Sequence, residues 1–274
     1  MQYNMETIAL FTLAILASGI IAGLIAGLLG VGGGIVLVPV LYYLFTLLQV
    51  DESIRMHMAV GTSLSTIVAT AASSTRAHLA KGSIDTGLLR SWGPWLLCGA
   101  IVGMSVFSAI DSGSLSFVFG FVAVLVAMYM LFAKEPTAET TDRFPTGVAR
   151  AMLGLIVGGV SSIMGIGGGT LSVPLLSIFR YPMRRAVGTA AAIGLLISIP
   201  GAIGAFLSGL DNPNLPPFSI GFVNLLAFVI LVPVTGVVAP FGARIAHTIK
   251  PRHLRYAFAV FLLFNAVNMF LNAI

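Results

Sequence analysis

The sequence predicts an all-α, polytopic helical membrane protein, built as an inverted-topology repeat of two five-segment halves. Three observations support this fold class: the apolar composition, an internal duplication and a one-sided distribution of basic residues. Of the 274 residues, 58% are hydrophobic and 8% are charged, whereas a soluble domain carries about 25% charged residues. A chain with so few polar side chains cannot cover a water-facing surface, which excludes the soluble classes of protein.

Hydrophobic segments follow one another along the chain, five in each half. Several reach the roughly 20 residues that a helix needs to cross about 30 Å of hydrocarbon. The second segment of each half is short, which suggests a re-entrant hairpin, although a full crossing is left open. We predict a first half at residues 1–133, a cytoplasmic linker at 134–146 and a second half at 147–274, all in one transmembrane domain. The predicted segments are 7–29, 35–49, 57–79, 87–110, 114–133, 147–164, 170–180, 186–208, 218–246 and 254–272.

The two halves are related by three repeated blocks, at offsets of 135, 127 and 139 residues. The blocks are G-V-G-G-G at 30–34 with G-I-G-G-G at 165–169, A-V-G-T at 59–62 with A-V-G-T at 186–189, and the pairs Gly82 with Gly221 and Pro94 with Pro233. The change from 135 to 127 predicts a longer connection in the first half, around 49–53. Because each half has an odd number of segments, the second half must enter the membrane from the opposite side.

The basic residues give an independent prediction of the topology. If the N-terminus lies outside and every segment changes sides, thirteen of the fourteen Lys and Arg residues face the cytoplasm, and only Arg55 does not. Such an imbalance is what the positive-inside rule requires. We therefore expect a multi-pass protein of the bacterial inner membrane with both termini in the periplasm.

The glycine runs are the first candidate site. Tight reversals need positive φ values, which glycine adopts readily, and the absence of Cβ atoms lets a ligand approach the backbone. Helices that begin at Ile35 and Thr170 would present amide groups and the positive end of the helix dipole, which together suit an anion. The alternative is that the glycines only let helices pack closely.

We expect a second set of polar residues around the glycine runs, of which only Thr170 and Ser172 directly follow a run in the sequence; the set is Thr62, Ser63, Ser65, Thr170, Ser172 and Thr189. Their hydroxyls could donate to oxyanion oxygens, although helical hydroxyls often bond a carbonyl one turn earlier instead. The predicted substrate-binding residues are Gly32, Gly33, Gly34, Ile35, Thr62, Ser63, Gly167, Gly168, Gly169, Thr170 and Thr189. Asp85 and Asn224, which are repeat equivalents, are better explained as helix caps.

Several chemistries lack a signature in this chain. No acidic or basic residue sits in the middle third of a predicted segment, the histidines fall near segment ends, and Cys98 has no partner cysteine. Nor do the glycine runs match the G-x-G-x-x-G pattern of nucleotide-binding proteins. We therefore expect no catalytic residue, no cofactor and no metal site, and we expect that His78 is an interfacial residue.

The glycine runs, the V-P that follows each of them and the two A-V-G-T segments resemble the TauE/SafE family of sulfite and organosulfonate exporters. The resemblance covers nearly the entire chain and implies a transporter of sulfur-containing oxyanions such as sulfite or sulfoacetate. The positions that carry it are Gly30, Gly32–Gly34, Pro39, Gly61, Thr62, Gly165, Gly167–Gly169, Pro174, Gly188 and Thr189.

Alternative functions stay open from the sequence. Helix-terminal amides recognise charge more than identity, so another small anion such as thiosulfate or a carboxylate is a second hypothesis. A membrane biogenesis factor or enzyme is a third, and the missing catalytic cluster weighs against it. The expected partners are a small anionic solute and the lipid bilayer, with no nucleic acid; a homo-oligomer, the direction of transport and the coupling ion are left open.

Overall fold

The computed structural model describes residues 5–29, 33–132, 144–246 and 251–271. In these ranges the chain forms ten α-helices and one two-stranded hairpin. They are α1 (Met5–Leu29), α2 (Gly34–Leu47), α3 (Glu52–Ala80), α4 (Thr86–Phe107), α5 (Ser112–Phe132), α6 (Gly147–Met164), α7 (Gly169–Ile178), α8 (Met183–Ser208), β1 (Ser219–Ile220), β2 (Val223–Asn224), α9 (Leu225–Ala246) and α10 (Pro251–Leu271).

Each predicted segment corresponds to one helix, but the predicted start of the ninth segment at residue 218 is wrong. The chain first forms the antiparallel hairpin of β1 and β2, in which Phe218 and Gly221 have φ values of 62° and 55°. Helix α9 begins only at Leu225, because the Asn224 side chain accepts a hydrogen bond from the Ala227 N–H (2.9 Å). A local side-chain cap thus overrides the continuous apolar pattern.

The predicted longer connection around 49–53 is also wrong. Four residues join α2 to α3, and four join α7 to α8. The eight additional residues of the first half are divided between two helices. Helix α2 has 14 residues where α7 has 10, and α3 begins four residues before the position that corresponds to the start of α8.

Helices α2 and α7 are both shorter than a full membrane crossing, as the short segments predict. At 1.5 Å per residue they measure about 21 and 15 Å, against a hydrocarbon core of about 30 Å. Each contains the proline of its V-P pair, Pro39 and Pro174.

The helix packing repeats itself between the halves. Helix α1 packs on α9 as α6 packs on α4, and the equivalent helices α5 and α10 pack on each other. Glycines make both of the first two contacts close. A Cβ atom on Gly23 would lie 3.1 Å from the Thr235 Cα, and one on its equivalent, Gly158, would lie 2.1 Å from the Leu96 carbonyl oxygen.

Helices α3 and α8 form the centre of the bundle and run antiparallel to each other. Leu64 in α3 lies against Gly201 in α8, whereas Ala71, seven residues later in α3, lies near Gly194, seven residues earlier in α8. Because α3 and α8 are repeat equivalents, their antiparallel packing is the relation that an inverted repeat requires. The boundary between the halves at 134–146 stays a prediction, since residues 133–143 lie outside the described ranges.

Large apolar side chains cover much of the outer surface. On α5 alone, Phe117, Phe121, Leu125 and Phe132 are each at least half exposed. Three helical stretches in the described ranges are long and apolar enough to cross a membrane, namely Ser112–Phe132, Gly147–Met164 and Arg185–Ser208, and five shorter apolar helices accompany them. An apolar exterior of this extent requires lipid around it, so the chain is an all-α polytopic membrane protein.

Candidate functional site

The two glycine runs meet at the centre of the bundle. A Cβ atom on Gly34 would lie 2.7 Å from the Ile166 Cα and 2.8 Å from the Gly165 carbonyl oxygen. The Ser63 hydroxyl donates a hydrogen bond to the same carbonyl (2.8 Å). We call the described parts of the two runs, residues 33–34 and 165–169, the glycine tips.

Matching backbone geometry begins both short helices. Gly33, the N-cap of α2, has φ 78° and ψ −21°, and Gly168, the N-cap of α7, has φ 74° and ψ −30°. These left-handed conformations are costly for residues with a Cβ atom, and they confirm the predicted need for glycine. Helices α2 and α7 therefore begin beside each other, at the ends where their helix dipoles are positive.

A cavity of about 230 Å³ lies against the glycine tips. Gly33, Gly167 and Gly169 form its inner end, and helices α1, α3, α8 and α9 supply its walls. It extends along α3 from Ile67 to His78, in the last turn of that helix. We call it the tip cavity.

Four polar side chains line the tip cavity: Thr70, Ser74, His78 and Thr235. The hydroxyl of Thr70 makes only long bonds, 3.3 Å each, to carbonyls of its own helix. His78 Nδ1 lies 2.9 Å from the Ser83 hydroxyl oxygen. Among the described residues, the lining includes neither a carboxylate nor a Lys or Arg.

Sequence reasoning missed these four residues, although a signal for three of them existed. Thr70, Ser74 and His78 recur every four residues along α3 and so share one helical face. We predicted that His78 is an interfacial residue because it lies near a segment end, but its ring also borders the cavity.

Only part of the predicted substrate-binding set borders the tip cavity. Gly33, Gly167 and Gly169 do, whereas Gly32 lies outside the described residues. Gly34 packs against the opposite tip, and Gly168 lies under Ile197, whose Cδ1 would be 2.5 Å from a Cβ at that glycine. The remaining predicted residues are fully buried and absent from the described cavity lining, namely Ile35, Thr62, Ser63, Thr170 and Thr189.

The two A-V-G-T segments hold the halves together. The Thr62 hydroxyl oxygen accepts a hydrogen bond from the Asn224 backbone N–H (3.0 Å). Reciprocally, the Thr189 hydroxyl oxygen accepts one from the Asp85 N–H (2.9 Å). We call these two contacts the threonine locks.

Glycines precede both threonine locks and allow the opposite loop to come close. A Cβ on Gly61 would be 2.1 Å from the Phe222 carbonyl oxygen, and one on Gly188 would be 2.4 Å from the Ser83 carbonyl oxygen. Each A-V-G-T segment therefore supports the loop of the other half, with a glycine for approach and a threonine for the hydrogen bond.

Asp85 joins the loop between α3 and α4 to the second half. It caps α4 by accepting from the Leu88 N–H (2.8 Å), as predicted; its other carboxylate oxygen accepts from the Tyr181 hydroxyl and lies 3.8 Å from an Arg185 nitrogen. Partial burial acts to raise the pKa of the Asp85 carboxyl, but the hydrogen bonds and the nearby guanidinium outweigh it, so the net pKa is lowered.

Comparison with known proteins identifies the family. The model of the family described as Sulfite exporter TauE/SafE matches residues 15–269, which include both glycine tips and both threonine locks. The chain belongs to the TauE/SafE family.

Curated relatives agree with this family membership. A "Probable membrane transporter protein" of Haemophilus influenzae is 33% identical over 262 residues, which cover 96% of this chain and 99% of the relative. Another from Methanocaldococcus jannaschii is 28% identical over 261 residues and covers 93% of each chain. No solved structure matches significantly. The TauE/SafE chain is therefore a membrane transporter and not an enzyme.

Proposed function

We propose that the protein exports a small sulfur-containing oxyanion, such as sulfite or an organosulfonate, and binds it in the tip cavity. One observation carries the proposal: two helix N-termini meet beside hydroxyl and imidazole groups, in a cavity whose described lining holds no carboxylate. Amides at helix N-termini and hydroxyl donors stabilise anions without a buried cation.

The size of the cavity favours a small solute. Its volume of about 230 Å³ is below the roughly 300–1,000 Å³ that is usual for drug-sized ligands. A sulfite or small sulfonate with some of its water would occupy such a space, with the glycine tips at one end and Thr70, Ser74 and Thr235 along the walls.

Charges near the end of the tip cavity at His78 favour an anionic substrate. Arg76, Lys81 and Arg185 are exposed around the end of α3 and the start of α8, where Asp85 offsets one of the three positive charges. The remaining positive excess raises the local concentration of anions. Under the predicted topology this end faces the cytoplasm, where an exporter must collect its substrate. The membrane potential, negative inside, then favours anion exit by about 2.3 kcal/mol per charge per 100 mV.

Among small anions, we propose sulfur oxyanions because the family is described as sulfite exporters and because the repeated motifs resemble that family.

The other predicted residues have supporting roles in this proposal. Ser63 fixes the tip carbonyl of Gly165, and Thr62 and Thr189 fix the loops.

The test is flux of labelled sulfite in proteoliposomes, with thiosulfate, sulfoacetate and acetate as competing anions and glycerol as an uncharged control. We expect saturable sulfite flux that sulfoacetate inhibits and glycerol does not. Preferential inhibition by acetate would instead indicate a carboxylate transporter, and flux of glycerol but of no anion would overturn the proposal.

Variants of the cavity walls complete the test. Thr70→Val and Ser74→Ala should each reduce sulfite flux several-fold, since each removes a hydroxyl donor from the cavity. Thr66→Val is the matched control, because the buried Thr66 hydroxyl bonds the Thr62 carbonyl of its own helix (2.9 Å) and does not line the cavity. Equal losses in all three variants would point to helix damage instead of substrate contact.

A further inference from the structure

On the opposite side of the glycine tips, apolar side chains cover described positions that correspond to the lining of the tip cavity. The repeat offsets pair the cavity residues Gly33, Thr70, Ser74 and Ala191 with Gly168, Ile197, Gly201 and Leu64. On this opposite side, Ile197 covers Gly168, and a Cβ on Gly201 would be 2.9 Å from a Leu64 methyl group. Both bulky side chains are fully buried. Apolar side chains thus fill the region that the pseudo-symmetry relates to the cavity.

Two serines lie in the filled region. Ser172, in the first turn of α7, corresponds to Leu37, and Ser198, in α8, corresponds to Ala71; both counterparts line the tip cavity. Ser172 and Ser198 are each fully buried. The hydroxyls therefore occur on the closed side at positions where the open side has apolar groups.

The Ser172 hydroxyl has no hydrogen-bond partner within the described part of the chain, and the Ser198 hydroxyl makes one long bond of 3.3 Å to the Leu195 carbonyl. An unpaired buried hydroxyl is costly, so its presence beside a helix N-terminus calls for an explanation. A ligand that arrives in another conformation would supply the missing partner.

We propose that Ser172 and Ser198, with the glycine tip at Gly168, form a second anion half-site on the side opposite to the tip cavity. The half-site is filled by Leu64 and Ile197 in this conformation, and it opens when these side chains withdraw. It takes the same small oxyanion as the tip cavity, and the inference therefore rests on the proposed function. The anion passes between glycine tips from one half-site to the other.

The first test compares two serine variants in the sulfite flux assay. Ser172→Ala should reduce flux at low sulfite concentration by about tenfold or more, because hydrogen bonds to charged groups are among the strong ones. Ser161→Ala is the matched control: its hydroxyl is also fully buried and unpaired, but it lies in α6, outside both half-sites. It should transport as the wild type does. Ser198→Ala provides a second variant of the half-site, with a loss in the same direction.

The second test is the side from which each half-site can be labelled. In a Cys98→Ala background, Ser74→Cys and Ser198→Cys should react with an impermeant thiol reagent from opposite sides of sealed vesicles. Labelling of both from one side, or no labelling of Ser198→Cys during turnover, would overturn the proposal.

The outcomes separate this inference from the proposed function. If the wild type carries no anion, both fail. If the wild type carries sulfite but Ser172→Ala and Ser198→Ala are as active as Ser161→Ala, the proposed function stands and the second half-site is wrong. Equal losses in Ser172→Ala and Ser161→Ala would also overturn it, because burial alone would then explain them.

Discussion

The burial of the threonine locks determines how much the free energy of unfolding should fall when one of them is removed. Thr62→Val keeps the shape of the side chain but removes the oxygen that accepts from the Asn224 N–H. Thr62 and Asn224 are both fully buried, so water cannot replace the lost acceptor. An unsatisfied buried donor costs about 1–3 kcal/mol, and we expect the free energy of unfolding to fall by that amount.

Thr189→Val, the equivalent substitution in the other threonine lock, should destabilise the protein less than Thr62→Val. Thr189 is also fully buried, but its partner Asp85 lies in a loop and its side chain is 21% exposed. Water can therefore reach the Asp85 N–H after Thr189→Val, and the loss of stability should be smaller than for Thr62→Val. Thr66→Val should cost little, because helix carbonyls keep their backbone partners when a side-chain bond is removed.

The assay is unfolding of the purified protein in mixed micelles by titration with a denaturing detergent, with all three variants measured alongside the wild type. The expected order of destabilisation is Thr62→Val, then Thr189→Val, then Thr66→Val. A larger loss for Thr189→Val than for Thr62→Val, or a Thr62→Val protein as stable as the wild type, would refute the argument from burial.

Four further predictions concern the tips, the cap, the topology and the driving force. Gly33→Val and Gly168→Val should each abolish sulfite flux while the protein still inserts, because valine is strained at φ values of 78° and 74°; retained flux would contradict this. The pKa of the Asp85 carboxyl is lowered in the folded protein, so the ionised carboxylate stabilises the fold. This contribution to the free energy of unfolding is fully present above the usual carboxyl pKa of 3.8 and is lost as the pH falls through the lowered pKa. Asp85→Asn, which copies the cap at Asn224, should remove this pH dependence in detergent unfolding. A reporter that is active only in the cytoplasm should give no signal when fused at Ile274, and a strong signal would reverse the topology. For a monoanion, a potential of 100 mV should sustain a gradient of about fifty-fold in liposomes without a pH gradient, and flux that follows only an imposed pH gradient would contradict a uniport.

The sequence was sufficient to predict the helices and their inverted relation, because both follow from apolar length and from the repeated blocks. It predicted the cap at Asn224, which the structure confirms, but not the hairpin before it, since most residues of 218–223 are apolar and extend the predicted segment. Nor could it separate the tip glycines by role. Gly34 and Gly168 have the same residue type as Gly33, and their packing depends on Ile166 and Ile197, which are distant in the sequence or on another helix.

The hydroxyl residues show why part of the candidate site escaped prediction. Thr62 and Thr189 occupy equivalent positions in the two A-V-G-T segments, but their oxygens accept from loops of the opposite half and do not line the tip cavity. Thr70 and Ser74 lie farther along α3 and face the cavity because α8 and α9 pack around that face. Neighbours across a bundle are set by helix packing, which the periodicity of a single helix does not specify.

The central claim, that a small anion crosses through the tip cavity, is tested most directly by filling the cavity. Ala191 lines it, so Ala191→Phe should occupy the space that the anion needs. Ala257→Phe is the control, because Ala257 is exposed on α10 and a larger apolar side chain there meets only lipid. We predict that Ala191→Phe protein inserts normally but carries no labelled sulfite in proteoliposomes, whereas Ala257→Phe protein carries it at the wild-type rate; sulfite flux at the wild-type rate through Ala191→Phe would contradict the claim.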